Sequence, residues 1–138
     1  MIIALSGEPG SGKTTLAKEL LRHMDCYHID GDDLRDIFHN RDYSRSGRMK
    51  NLNRASDIAH YLSHDKPVIL SLIYPYQEAR DYLNSLNDDV RWFWLRTTKQ
   101  RKNPQLQVED FEYDVNLNFI NTDFTLQDCL LQILHLLK

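Results

Sequence analysis

The chain has 138 residues, of which 41% are hydrophobic and 27% charged, and its formal net charge at pH 7 is -3. This length fits one domain with a single core, and the weak negative charge disfavours a general nucleic-acid binder, which needs a strongly basic surface. No apolar stretch reaches the length of a membrane span, and the first residues lack the pattern of a signal peptide. We therefore expect a cytoplasmic protein with no membrane partner.

Predicted strands and helices alternate along the chain. The apolar residues 1–5 predict a first strand, followed by a glycine-rich loop and a helix that begins near Lys13. Further strands are predicted at residues 26–29, 68–73, 90–95 and 119–120, and further helices carry the apolar residues of segments 34–38, 52–62, 79–86 and 126–137. The strand at 68–73 is continuously apolar rather than alternating, so we expect it to be central. This order predicts a three-layer α/β domain around a five-stranded parallel sheet.

The glycine-rich loop carries the strongest motif. Residues 7–14 match every fixed position of the phosphate-binding loop G-x-x-x-x-G-K-[ST]. Its backbone N–H groups are expected to surround the terminal phosphates of a nucleoside triphosphate, while Lys13 neutralises phosphate charge and the Thr14 hydroxyl ligates Mg²⁺. The predicted nucleotide-binding residues of this segment are Gly7, Glu8, Pro9, Gly10, Ser11, Gly12, Lys13, Thr14 and Thr15.

Two carboxylates follow the second predicted strand, at the end where open α/β sheets place their chemistry. One of Asp30 and Asp32 is expected to hold the water shell of the metal, and the other to accept a proton from a hydroxyl. Asp33 is expected to cap the next helix. The alternative is a solvated turn in which these carboxylates serve only as caps.

A basic cluster lies at the start of the third predicted helix. Arg48, Asn51 and Arg54 are spaced to lie near one helix face, where guanidinium groups can bind a phosphate or a sulfate. The alternative is a solvated helix start with counterions. A GTPase or a motor ATPase is disfavoured, because the chain has no Asn-Lys-x-Asp motif and the strand at 68–73 ends without an acidic pair.

Taken in order, these motifs resemble the adenylylsulfate kinase family, whose members phosphorylate the 3′-hydroxyl of adenosine 5′-phosphosulfate with ATP and Mg²⁺. The resemblance rests on the loop at 7–14, an Asp-Gly-Asp-x-x-Arg motif at 30–35, an Arg-x-x-Asn pair at 48 and 51, and the counterpart of a family stretch SFISPYR at 71–77. It implies that residues 1–138 form a single P-loop kinase domain, the three-layer P-loop NTPase kinase fold, and it is compatible with a homodimer.

The resemblance also implies roles for individual residues. The catalytic residues would be Lys13, Asp30 and Asp32, with Asp32 as the leading base and Asp30, beside Thr14, as a carboxylate of the metal shell. Arg101 would begin the lid over ATP. The residues expected to contact the acceptor substrate are Asp32, Arg35, Tyr43, Arg48, Asn51, Ile73 and Tyr74, of which the arginines and Asn51 would hold the phosphosulfate and Tyr43 would pack on the adenine.

Departures from the family pattern fall on the acceptor side. Tyr74 replaces a serine, Gln77 replaces an arginine, Lys50 stands where an acidic residue is usual, and the lid is shortened to residues 97–116. We therefore expect an ATP-dependent small-molecule kinase acting on adenosine 5′-phosphosulfate or a related nucleotide-like anion. The alternatives are a kinase for a different nucleotide, nucleoside or nucleic-acid end, and a non-catalytic ATP-binding module.

Overall fold

The computed structural model describes residues 1–98, 108, 110–114 and 117–138. These residues form five strands and five helices. The strands are β1 (Ile2–Ser6), β2 (Tyr27–Asp30), β3 (Val68–Ser71), β4 (Val90–Arg96) and β5 (Asn118–Asn121). The helices are α1 (Lys13–Leu21), α2 (Gly31–Ile37), α3 (Arg45–Leu62), α4 (Gln77–Leu86) and α5 (Leu126–Leu136). No helix among the described residues is long and apolar enough to cross a membrane.

All neighbouring strands of the sheet are parallel, in the order β2-β3-β1-β4-β5. The predicted three-layer α/β fold with a five-stranded parallel sheet is therefore confirmed. The strand beginning at Val68 is, as expected, an interior strand, because it lies between β1 and β2, and this accounts for its buried apolar residues Val68, Ile69 and Leu70. The middle strand of the sheet is β1, whose Ile2 pairs with Val68 on one side and Val90 on the other.

Successive residues of a strand point to opposite faces of the sheet, so β1, β3 and β4 each contribute to two hydrophobic cores. Ile2 and Ala4 contact the core beneath α3 and α4, whereas Ile3 and Leu5 contact the core beneath α1 and α5. The same alternation in β4 places Trp94 in the first core and Phe93 in the second. Burial of each such large side chain contributes roughly 1.5–3 kcal/mol, so the sheet is a rigid platform for the loops at its edge.

The carboxyl ends of β1, β2 and β3 meet at one edge of the sheet. β3 ends at Ser71, two residues earlier than predicted, because Leu72 and Ile73 leave the ladder of hydrogen bonds there. The expectation that Asp33 caps α2 is wrong: α2 begins at Gly31 directly after β2, and the cap is Asp30, whose carboxylate accepts a hydrogen bond from the N–H of Asp32. Asp33 lies in the first helical turn.

Candidate functional site

The phosphate loop connects β1 to α1 in a conformation that needs glycine. Gly10 and Gly12 have φ values of 82° and 98°, in the left-handed region that side-chain-bearing residues disfavour. Gly12 is the N-cap of α1, and glycine has no side chain with which to cap that helix end. The first N–H groups of α1 and the positive end of its dipole therefore remain available to an anion.

Lys13 is folded across the loop that precedes it. Its Nζ atom donates hydrogen bonds to the carbonyl oxygens of Gly7 and Glu8, each at 2.9 Å, and lies 3.4 Å from the Oγ atom of Ser11. The side chain is only 9% exposed. Its charge is therefore held inside the curve of the loop, where a terminal phosphate would take over the hydrogen bonds of these neutral acceptors.

The Asp30 carboxylate joins the phosphate loop to two strands. Its Oδ1 atom accepts a 2.6 Å hydrogen bond from the Thr14 hydroxyl and a 2.7 Å hydrogen bond from the Ser71 hydroxyl. Burial acts to raise the pKa of Asp30, but the hydrogen bonds from Thr14 and Ser71, together with His28 and the N–H of Asp33, outweigh it and bring the pKa below its usual value of 3.8. Asp30 is accordingly ionised at neutral pH.

This donor set fits magnesium. Thr14 uses its hydroxyl proton toward Asp30, so its oxygen lone pairs remain for a cation, and hydroxyl and carboxylate oxygens are the hard ligands that Mg²⁺ prefers. In the part of the chain that the structure describes, no group of three or more His, Cys, Asp or Glu side chains is placed to hold a metal ion. A site of one hydroxyl and one nearby carboxylate suits a magnesium ion that takes its other ligands from water and phosphates.

The predicted site residues meet in an open cleft with a volume of about 310 Å³. The cleft runs from the phosphate loop, past the end of β2, to α2 and α3. Thirteen of the predicted residues line it: Pro9, Gly10, Gly12, Lys13, Thr14, Thr15, Asp30, Asp32, Arg35, Tyr43, Arg48, Asn51 and Ile73. Residues predicted separately for a phosphate donor and for an acceptor thus share one cavity.

The far end of the cleft is positively charged. The Arg35 guanidinium lies 4.2 Å from the centre of the Tyr43 ring and the Arg48 guanidinium 5.8 Å from it. Arg35 Nη1 donates to the carbonyl oxygens of Asn40 and Asp42, and Arg48 Nε donates to the Tyr43 carbonyl. These hydrogen bonds hold both guanidinium groups in place around a tyrosine ring that is 46% exposed.

Asn51 is oriented by a backbone carbonyl. Its side-chain nitrogen donates a 3.4 Å hydrogen bond to the oxygen of Gly31, next to Asp32. The side-chain oxygen is buried and has no hydrogen-bond partner among the residues that the structure describes. The second N–H of the same amide nitrogen can still donate to an anion, so the expected contact of Asn51 with the acceptor's anion stays a prediction, and the side-chain oxygen adds a place for a hydrogen-bond donor of the ligand.

The basic cluster at the start of α3 divides between two roles. Arg48 lines the cleft, as expected for anion capture. Arg45 lies 3.1 Å from a carboxylate oxygen of Glu112, and the Arg54 guanidinium lies over the Phe38 ring at 4.4 Å. Arg54 therefore does not share the cleft-facing position of Arg48, and Arg45 follows the alternative of a charge with counterions.

The assignment of Tyr74 to the acceptor site is wrong. Its side chain is fully buried, its hydroxyl lies 3.1 Å from that of Ser56, and its ring packs edge-on against Trp92. Burial raises the pKa of this phenol, as expected for a group shut away from water. The residue after Ile73 turns into the core because its neighbours Ile73 and Pro75 take the positions that line the cleft.

Several other residues considered in the sequence analysis do not line the cleft. Gly7 and Ser11 are buried in its interior. The Glu8 carboxylate accepts a 3.1 Å hydrogen bond from the backbone N–H of Val108, and burial raises its pKa above 4.5. Gln77 bonds to Asp81 on its own helix and is absent from the cleft lining. Arg101 lies outside the described residues.

Sequence reasoning missed a second, smaller hollow of about 150 Å³ beside the phosphate loop. It is lined by Gly12 and Thr15 from the loop, by Leu16, and by the residues that follow β5: Thr122, Phe124, Leu126 and Cys129. The signal that could have found it is topological, since the carboxyl end of the fifth parallel strand reaches the same sheet edge as the first. Ser71 was also missed as a site residue.

Sequence comparison places these features in a family. Residues 1–100 match the sequence model of the family described as adenylylsulphate kinase. A cytidine diphosphoramidate kinase of Campylobacter jejuni is 34% identical over 87 residues, which cover 59% of this chain and 51% of that protein. A probable adenylyl-sulfate kinase of Aeropyrum pernix is 30% identical over 96 residues, covering 64% of this chain and 52% of that protein. The chain thus spans about half the length of the curated relatives it matches.

The fold is also similar to those of solved kinases. The APS kinase of Mycobacterium tuberculosis in complex with AMPPNP and APS has a TM-score of 0.83 at 20% identity, with 99% of this chain and 96% of that chain covered. A gluconokinase from Sinorhizobium meliloti 1021 has a TM-score of 0.75 at 18% identity, with coverages of 96% and 89%. At these identities the likeness establishes the fold alone.

Proposed function

Because the chain belongs to the adenylylsulphate kinase family, we propose that it transfers the γ-phosphoryl group of ATP to an alcohol on a nucleotide-like anion. The observation that supports this most directly is the continuous cleft from Lys13, past Asp32, to Arg48. A phosphate donor and an anionic acceptor bound at its two ends would meet beside the Asp32 carboxylate. Bringing reactants together in line is the main contribution that a protein makes to phosphoryl transfer.

The end of the cleft at the phosphate loop would hold ATP and its magnesium ion. The loop N–H groups and Lys13 would hold the β- and γ-phosphates, and the hollow beside Thr15 and Phe124 would take the base of ATP. Thr14 and Asp30 would hold the magnesium ion, which when bound neutralises charge on the phosphate oxygens. The acceptor oxygen forms a bond to the γ-phosphorus, the bond to the β-phosphate oxygen breaks, ADP leaves, and the alcohol proton passes to Asp32.

The acceptor end selects a negatively charged molecule with a flat ring. Arg35 and Arg48 supply two fixed positive charges, and the half-exposed Tyr43 ring close to both offers a stacking surface. The two curated relatives are named for different acceptors, one an adenylyl sulfate and the other a cytidine diphosphoramidate. We therefore propose a nucleotide carrying a second anionic group as the acceptor class.

The side chain of Asn51 narrows the proposed class of acceptor further. Its unpartnered side-chain oxygen lies on the residue that bonds to Gly31, next to Asp32, and needs a hydrogen-bond donor from a ligand. A hydroxyl adjacent to the reacting hydroxyl would supply that donor, as on an intact ribose. We therefore propose that the acceptor is a ribonucleotide, and that the 2′-deoxy analogue of a turned-over nucleotide has a several-fold higher KM.

An acceptor panel tests the proposal. The protein is incubated with Mg-ATP and, separately, with adenosine 5′-phosphosulfate, cytidine diphosphoramidate, AMP, gluconate and a 5′-hydroxyl oligonucleotide, and ADP release is followed in each case. The proposal expects ADP release that depends on one of the nucleotide anions and is absent in Lys13→Ala. Turnover of gluconate alone, or of the oligonucleotide alone, would show that the proposed acceptor class is wrong. ADP release that no acceptor alters would instead indicate an ATPase.

A further inference from the structure

A line of hydrogen bonds connects a histidine outside the cleft lining to the proposed metal site. His28 Nε2 lies 2.7 Å from the Ser71 hydroxyl oxygen, which lies 2.7 Å from Asp30 Oδ1, which in turn accepts the 2.6 Å hydrogen bond from Thr14. The parallel pairing of β2 with β3 sets Asp30 opposite Ser71 and His28 opposite Ile69. His28 therefore reaches across to the strand whose hydroxyl supports the Asp30 carboxylate.

The direction of each hydrogen bond in this line follows from the charge at its centre. An aspartate carboxylate is ordinarily ionised at neutral pH, and Asp30 Oδ1 lies 2.6 Å from the Thr14 hydroxyl oxygen and 2.7 Å from the Ser71 hydroxyl oxygen. An ionised carboxylate only accepts, so both hydroxyls must donate their single proton to it. The Ser71 oxygen then has only lone pairs left for His28. The hydrogen between them must belong to the histidine, on Nε2.

This assignment does not depend on whether His28 is charged. A neutral imidazole satisfies it with its proton on Nε2 and a bare Nδ1, and an imidazolium carries a proton on both nitrogens. The neutral Nε2–H tautomer is the form expected at pH 8.

We propose that His28 is a positioning residue for the magnesium site. Because His28 donates to the Ser71 oxygen, the Ser71 hydroxyl proton points to Asp30. Asp30, held from both sides, fixes the Thr14 hydroxyl so that its lone pairs face the cation. The inference rests on the proposed nucleotide site and is independent of which acceptor is phosphorylated. Partners of metal-shell residues commonly affect metal affinity about 10- to 100-fold.

Calorimetry of AMPPNP binding with saturating Mg²⁺ and with EDTA tests this role. His28→Leu removes the donor, and it is expected to weaken binding in Mg²⁺ about 10-fold while changing binding in EDTA less than 2-fold. His28→Gln keeps an N–H donor and should recover most of the loss. His135→Leu, at an exposed position in the last turn of α5, is the control and should match wild type. Equal losses with and without Mg²⁺ would mean a purely structural role and would overturn the proposal.

The tautomer gives a test that needs no variant and no nucleotide. In ¹⁵N NMR of the wild-type protein at pH 8, the His28 resonances should report a protonated Nε2 and an unprotonated Nδ1. The reverse tautomer would overturn the proposed direction of the hydrogen bonds. If wild type binds no Mg-nucleotide at all, the proposed function falls and this role falls with it. If wild type binds and His28→Leu binds equally well, only this inference fails.

Discussion

The Thr14 hydroxyl donates a 2.6 Å hydrogen bond to Oδ1 of Asp30 and thereby joins the phosphate loop to the end of β2. Because Asp32 follows Asp30 at the start of α2, this bond fixes the distance between the loop and the proposed base. The phosphate donor and the acceptor oxygen are thus positioned on one rigid frame.

Replacing Asp32 by Asn should stop transfer and spare nucleotide binding. The amide keeps the shape of the carboxylate but cannot take the alcohol proton, so kcat should fall about 100- to 10,000-fold. AMPPNP affinity measured by calorimetry should stay within about 2-fold, since binding relies on the loop. The matched control is Asp33→Asn, an adjacent exposed carboxylate outside the cleft lining. Comparable losses of kcat in Asp32→Asn and Asp33→Asn would contradict the role of Asp32 as the base.

Replacing Arg48 by Gln should selectively weaken binding of the acceptor substrate. The guanidinium lines the cleft, and losing one charge-assisted contact of about 1.5–3 kcal/mol corresponds to a KM for the acceptor that is roughly 10- to 100-fold higher. The KM for ATP should change little. Arg54→Gln, which removes a charge from the same helix over the Phe38 ring, is the control. Steady-state kinetics in which Arg54→Gln has the larger effect on the acceptor would refute this placement of the anion.

Replacing Tyr74 by Phe should change stability and leave substrate binding alone. The hydroxyl lies 3.1 Å from the buried Ser56 hydroxyl, so the free energy of unfolding should fall by about 1 kcal/mol as Ser56 loses this partner. Adding Ser56→Ala should recover part of this loss, because both members of the pair are then absent. Urea unfolding measures the stabilities. A clear rise of the acceptor KM in Tyr74→Phe would restore the tyrosine to the site.

Glu112 should contribute pH-dependent stability. Its carboxylate accepts a 2.8 Å hydrogen bond from the Gln77 N–H at the start of α4 and bonds to Arg45, and these contacts lower its pKa below 4.5. A lowered pKa means that the stabilisation is present above the unfolded-state value of 4.5 and disappears as the pH falls through the lower folded-state value.

Glu112→Ala should therefore destabilise the protein by about 0.5–1 kcal/mol at pH 7, the typical worth of a helix cap, and by much less at pH 3. Urea unfolding at the two pH values measures the difference. Glu78→Ala, whose carboxylate lies 3.9 Å from the same arginine, is the control and should lose less. A destabilisation by Glu112→Ala that stays constant with pH would contradict the role of the ionised carboxylate.

The parts of the site that sequence predicts well are those defined by local pattern. The loop at residues 7–14 needs glycines, a lysine and a hydroxyl at fixed spacing, and the structure assembles them as expected. Asp30 and Asp32 were found because the ends of parallel strands collect at one edge of the sheet. In both cases a short segment and its place after a strand carry the information.

The parts that sequence reasoning missed depend on contacts between distant segments. Whether Tyr74 faces the cleft or the core is decided by Ser56 and Trp92, which no pattern around residue 74 reveals. The approach of His28 to Ser71 requires the pairing register of β2 with β3. The hollow near Phe124 was missed because apolar residues after the last strand are typical of a core, and only the three-dimensional order of the strands brings them beside the phosphate loop.

The account depends most on delivery of the γ-phosphoryl group to an alcohol, and ³¹P NMR measures this directly. In a mixture of protein, Mg-ATP and the accepted nucleotide anion, we predict a new phosphomonoester resonance that grows in step with ADP and is absent with Lys13→Ala. Formation of ADP and inorganic phosphate alone, at the same rate with and without any acceptor of the panel, would contradict it.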